Sequence, residues 1–141
     1  RDLHSFPTRR SSDLEEGLKR AFIELTEAAE TQPKTTTTLV SRPGISYSFR
    51  AAAARSGPGR DRPVYFLVDV VLSPSDPWFL SACFYEDEIT DPEELGNPIP
   101  QGLFQETGYC FDVEGYDAGL LSYLKVRISE ARRRVEGGSK A

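Results

Sequence analysis

Apolar and polar positions along the chain change period several times, and each change predicts an element. In EEGLKRAFIELTEAAE, residues 15–30, Leu18, Ala21, Phe22, Leu25 and the Ala28/Ala29 pair fall on one helical face, and Pro33 ends the run. The period then drops to two. TTTTLV is β-branched, while ISYSFRA places Ile45, Tyr47 and Phe49 on one face and Ser46, Ser48 and Arg50 on the other. SRPG between them is turn chemistry, so the pair reads as a hairpin. The stretch ARSGPGRDRP is too rich in glycine, proline and charge for regular structure and is expected to be a mobile loop.

Two nearly continuous apolar runs follow, VYFLVDVVL (64–72) and WFLSACFY (78–85), joined by SPSDP; both read as central strands. Within the first, Asp69 shares a face with Tyr65, Leu67 and Val71, so its carboxylate needs a partner or a solvated surface. The acidic stretch EDEITDPEELGNP reads as a solvated segment starting a short helical turn, with Asp91 as cap and Pro92 at the first helical position. IPQGLFQETG is expected to be a loop and YCFDV a short strand. The last helix is predicted over 117–135, with Leu120, Leu121, Leu124, Ile128, Ala131 and Val135 on one stripe, Asp117 as its cap and Arg132, Arg133 and Arg134 complementing its C-terminal dipole. Helices at the two ends and strands in tight succession predict an α+β fold: an antiparallel sheet of about four to five strands packed against N-terminal and C-terminal helices.

Composition alters this picture at one end. Read back into codons, HSFPTRRSSDL, His4 to Leu14, resembles a common short-read sequencing adapter translated in one frame. Residues 1–14 are therefore expected not to be native, leaving a single α+β domain over 15–136 and a flexible tail at 137–141. The head contains the chain's one histidine, so the native domain is expected to lack histidine-based nucleophile pairs, general bases and metal ligands. It also contains three arginines against two aspartates, and without it the formal charge moves from −5 to −6. So acidic a chain disfavours nucleic acid as a partner, because phosphate contacts need clustered Lys and Arg. No apolar run is long enough to span a bilayer and no signal-peptide pattern is present, so a cytoplasmic protein with no membrane association is expected. Cys83 and Cys110 lie inside apolar runs and are expected to be buried, reduced thiols.

No motif assigns chemistry. SGPG lacks the lysine and context of a phosphate-binding loop, and no cofactor is expected. The candidates divide into two groups. Trp78, Tyr85 and Phe104 are the aromatics that an exposed binding face could carry for a protein partner or small ligand. Asp69, Glu86, Asp87 and Asp112 are the carboxylates that could converge on a divalent cation in a metal-dependent hydrolase. A non-catalytic binding or interaction module is the leading expectation and the hydrolase the alternative. A third possibility is a subunit completed by a partner along an unpaired edge at TTTTLV. The stretch DPWFLSACFYEDEITDPEELGNPIPQGLFQETGYCFDVEGYD, 76–117, resembles an uncharacterised family of small bacterial proteins with W-L-S-x-C-F-Y, T-D-P-E-E and G-Y-C-F-D patterns; that resemblance spans 35–134 and implies no activity. More distantly, terminal helices around an antiparallel sheet are similar to the MmcQ/YjbR-like α+β proteins, which implies a DNA-binding alternative.

Overall fold

In a computed structural model, residues 6–7, 13–42, 45–57 and 59–137 are described; most of the suspect head and the tail from 138 onward lie outside them. Helix α1 spans Asp13–Glu30, followed by strands β1 (Thr36–Arg42), β2 (Ser46–Ala52), β3 (Phe66–Val71) and β4 (Phe79–Tyr85). A single 3-10 turn occupies Glu86–Glu88, and β5 (Asn97–Leu103), β6 (Glu106–Val113) and helix α2 (Ala118–Val135) complete the order. The strands form one antiparallel sheet ordered β1-β2-β3-β4-β6-β5. The α+β class holds, and the sheet has six strands rather than four to five.

The additional strand comes from IPQGLFQETG, which is a hairpin and not a loop. Leu103 pairs with Glu106 across the two-residue turn Phe104–Gln105, whose φ angles are +48° and +68°. Two positive φ values are the pattern of a type I′ turn, whose twist matches that of the flanking strands. The usual Asn-Gly signature is absent, which is why the hairpin is hidden in the sequence. Between Ile99 and Leu103 three residues, 100–102, oppose the single Thr107, an irregularity that includes Gln101 at φ +58°, and Pro98 and Pro100 lie on the same outer strand.

One face of the sheet carries both helices. Leu18, Phe22 and Leu25 of α1 and Leu121, Leu124 and Ile128 of α2 are buried against Phe49, Phe66, Leu80, Phe84 and Phe111. Phe6 joins this core edge-to-face on Phe22. Asp117 caps α2, its carboxylate accepting from the Leu120 N–H, as its position before the apolar stripe predicts. Arg132 is drawn inward, its Nε donating to the Pro33 carbonyl that ends the α1 segment.

Among the described residues no α-helix packs on the opposite face. Strand register lays polar residues across it in rows: Val40, Ser48, Asp69, Ser81 and Asp112 stand opposite one another on successive strands, and Thr38, Arg50, Leu67, Cys83 and Cys110 form the next row. Leu67 and Val71 share this face with Asp69 as the alternation predicts; Tyr65, just before β3, turns instead into the helix-side core. A second small cluster, Val64, Leu67, Cys83, Tyr85 and Leu103, gives the helix-free face its own apolar centre. Cys83 and Cys110, directly paired across β4 and β6, are joined by a disulfide and are not reduced thiols; only the register, not the 27-residue separation, brings them together.

Candidate functional site

Four features of the helix-free face and its rim can be built from the residues upward. The first is a groove. β2 alternation points Arg50 onto this face, where its Nε donates to Ser48 Oγ at 3.2 Å. The Phe104 ring lies 5.7 Å from its guanidinium carbon. Together with Thr36, Thr38 and Val64 these side chains line a groove of about 250 Å³ running up to β1. Phe104 is 45% exposed, in a turn whose backbone is unfavourable for a bulky residue. Among the described residues no carboxylate pairs with Arg50, nor with Arg42, whose Nε donates to Ser46 Oγ.

The second feature anchors the segment expected to be a mobile loop. Arg55 is 3% exposed in its side chain and forks onto Glu88, with Nη1 at 2.6 Å and Nη2 at 3.1 Å, while Nη2 also donates to the Val64 carbonyl. Arg62 binds Asp87, Glu88 and Glu106 at 2.8, 3.0 and 2.8 Å and lies over the Tyr85 ring. The hydrogen bond to Asp87 raises the Arg62 pKa against the opposing effect of burial, so the guanidinium is fixed in charge. Arg55 and Arg62 thus tie the described residues of loop 53–65 to the end of β4, through a buried pair at Arg55–Glu88 and through the exposed carboxylates Asp87 and Glu106 at Arg62. Tyr85 lies beneath: fully buried, its hydroxyl without a hydrogen-bond partner, its pKa pushed up to about 12 by burial and the nearby Glu106.

Asp91 organises the third. Its carboxylate accepts from the Tyr109 and Tyr123 hydroxyls and from the Leu95 and Gly96 N–H groups. Burial pushes the carboxyl up, and these four donors outweigh it, bringing the pKa down to about 2. The Tyr109 hydroxyl, donating to that carboxylate, is driven up to about 12. Asp91 therefore closes a turn over 91–96 instead of capping a helix, and the expected helical turn at Pro92 is absent. The helical residues are those before it, Glu86–Glu88. Gly96 must be glycine, since an added Cβ would fall 2.6 Å from the Tyr109 ring. Glu86, Asp87, Thr90, Asp91 and Tyr109 line a cleft of about 390 Å³ here.

The fourth is the pair Asp69 and Asp112, two strands apart with Ser81 between them on the helix-free face. Asp112 is exposed, and Asp69 Oδ1 is buried with no hydrogen-bond partner. The four candidate metal carboxylates thus fall into two places: Asp69 and Asp112 in the middle of the face, Glu86 and Asp87 at the 3-10 turn, with Asp87 bound to Arg62. Among the described residues no group of three or more His, Cys, Asp or Glu side chains is placed to hold a metal ion.

The three candidate aromatics also separate. Trp78 is 7% exposed, its Nε1 donating to the Ser73 carbonyl of the preceding connection, and Tyr85 is fully buried; both are core residues. Phe104 alone remains on the surface. Arg50, which the sequence places on the polar face and groups with Arg55, Arg60 and Arg62 as a candidate local basic patch, becomes its neighbour, and their contact depends on a long-range approach no sequence spacing reveals. Comparison of the chain with protein-family models, with curated proteins and with solved structures finds no match. Among the described residues no helix is long and apolar enough to cross a membrane.

Proposed function

We propose that this protein is a non-catalytic binding module and that its ligand surface is the groove between β1, Arg50 and Phe104. The observation that carries the reading is Phe104: a half-exposed aromatic, held in a left-handed turn that glycine or asparagine would occupy at lower energy, beside an arginine that no carboxylate among the described residues pairs with. Backbone strain and an exposed ring are both unfavourable to the free fold, and their coincidence at the rim of a concavity is what a recognition element looks like. The rest of the helix-free face supplies rigidity. The disulfide, the Arg55–Glu88 pair and the apolar cluster under Tyr85 fix the hairpin turn relative to β2.

The test is a fragment screen read by amide chemical shifts of the isotopically labelled chain. Ligands are expected to move residues 36–42, 48–52 and 103–106 together. They should lose that effect in a variant with Phe104→Asn and Gln105→Gly, which keeps the turn and removes the ring. Hits that cluster elsewhere, or that bind the variant equally well, overturn the reading.

A further inference from the structure

Edge strand β1 and the groove beside it point to one kind of ligand. β1 is the outer strand of the sheet for all seven of its residues, six of them exposed, and it contains no proline. Every second residue of such a strand turns its N–H and C=O outward, where an added strand can bond them. At the other edge, β5 carries Pro98, Pro100 and the irregularity at 100–102, and proline has no N–H to offer.

Register decides what the added strand must carry. On the helix-free face β1 presents Thr36, Thr38, Val40 and Arg42 in alternation. Arg50 stands opposite Thr38 on β2, so the residue opposite Thr38 on an added strand is about 10 Å away, two strand spacings, across a short side chain. An extended arginine and a glutamate together close that gap. Four residues along, Arg42 directly faces its counterpart on the added strand, and between them Val40 faces an apolar one. Among the described residues neither arginine pairs with a carboxylate, in a chain of net charge −5.

We propose that β1 takes up an extended acidic segment of a partner protein as a further strand, with a pattern of acid, any residue, Val or Ile, any residue, acid, whose carboxylates meet Arg50 and Arg42. Main-chain bonds to the edge supply affinity and the alternating side chains supply selectivity. A second copy of this chain fits less well, because β1 has no acidic residue to offer either arginine. The inference rests on the binding-module reading above, which it narrows to a partner of stated charge.

The probe is the fluorescein-labelled peptide Thr-Glu-Thr-Val-Thr-Glu-Thr, titrated with the full chain by fluorescence anisotropy. Saturable binding is expected, weakening at least 10-fold with Arg50→Gln or with both glutamates of the peptide changed to glutamine. It is expected to weaken as salt rises and to be lost when alternate peptide amides are N-methylated. Circular dichroism checks that Arg50→Gln remains folded, and Arg42→Gln provides an independent second variant. Absence of saturation up to about 1 mM peptide overturns the inference. So does indifference to charge or to N-methylation, or a dimer of this chain, seen by sedimentation and broken by Leu39→Glu, that excludes the probe. If binding needs Phe104 but neither charge, the acidic partner falls and the binding module stands; if it needs neither Phe104 nor the arginines, both fall.

Discussion

Replacing Phe104-Gln105 by Asn-Gly tests the reasoning about the exposed turn most directly. A left-handed backbone raises the energy of an ordinary L-residue by about 1 kcal/mol or more, so the two positive φ values store about 2 kcal/mol that Asn-Gly releases. The ring's contribution opposes this. Phe104 is 45% exposed, so about half of the 1.5–3 kcal/mol of a fully buried phenylalanine is at stake, roughly 1 kcal/mol. The guanidinium at 5.7 Å adds about 0.5 kcal/mol. The Asn-Gly variant should therefore be unchanged or more stable by about 0.5 kcal/mol, whereas Phe104→Ala, which loses the ring and keeps the left-handed backbone, should be less stable by about 1.5 kcal/mol. Urea denaturation followed by the fluorescence of Trp78, the one tryptophan and a buried one, resolves a gap of about 2 kcal/mol between the two variants. An Asn-Gly variant as unstable as the alanine variant would refute the claim that this turn holds strain.

Three further outcomes follow from the anchors. Glu88→Ala leaves Arg55 buried without its carboxylate and should destabilise by about 3–5 kcal/mol in urea. The double variant Arg55→Met/Glu88→Leu should recover much of that loss, since Arg62 keeps Asp87 and Glu106. Asp91 titrates near pH 2 folded against an ordinary 3.8, so its contribution, about 2 kcal/mol, is complete above pH 4 and disappears as pH falls through 2; the stability gap between wild type and Asp91→Asn should close over that window. Reduction of Cys83–Cys110 opens a loop closed over 27 residues and should lower unfolding free energy by about 3.5 kcal/mol, measured as a shift of the urea midpoint with and without a phosphine reductant.

Local signals were legible where they were periodic. The α1 stripe from Leu18 to Ala29 and the Asp117 cap follow from spacing, because one buried face per helix is enough to set the pattern; β2 departs from it, with Ser46 and Ser48 buried on the side expected to be polar and Ile45, expected on the core side, exposed. What the sequence concealed depends on partners far along the chain. Arg55 and Glu88 are 33 residues apart, and a glycine-rich loop gives no sign that two of its arginines are bound on both sides. The Cys83–Cys110 bond needs the β4–β6 register, which no residue type announces. The β5–β6 hairpin is hidden because its turn carries phenylalanine and glutamine where turn chemistry calls for asparagine and glycine. Of the candidate site, Phe104 was legible as an aromatic in a polar stretch and Arg50 as a residue on the polar face; their meeting was not. Trp78 and Tyr85 looked equally available in sequence because an apolar strand does not declare which of its aromatics are covered, Trp78 by the preceding connection and Tyr85 by Arg62 of loop 53–65.

The unequal edges of the sheet also fix the valence of the molecule. A sheet open at both sides is bifunctional and can grow without limit by adding copies edge to edge, whereas this one has one edge free of proline, β1, the other carrying Pro98, Pro100 and the irregularity around Gln101. If β1 takes up a strand as proposed, the proline-bearing β5 side of this chain offers no second edge of the same kind, so any further growth has to proceed from the outer edge of the added strand.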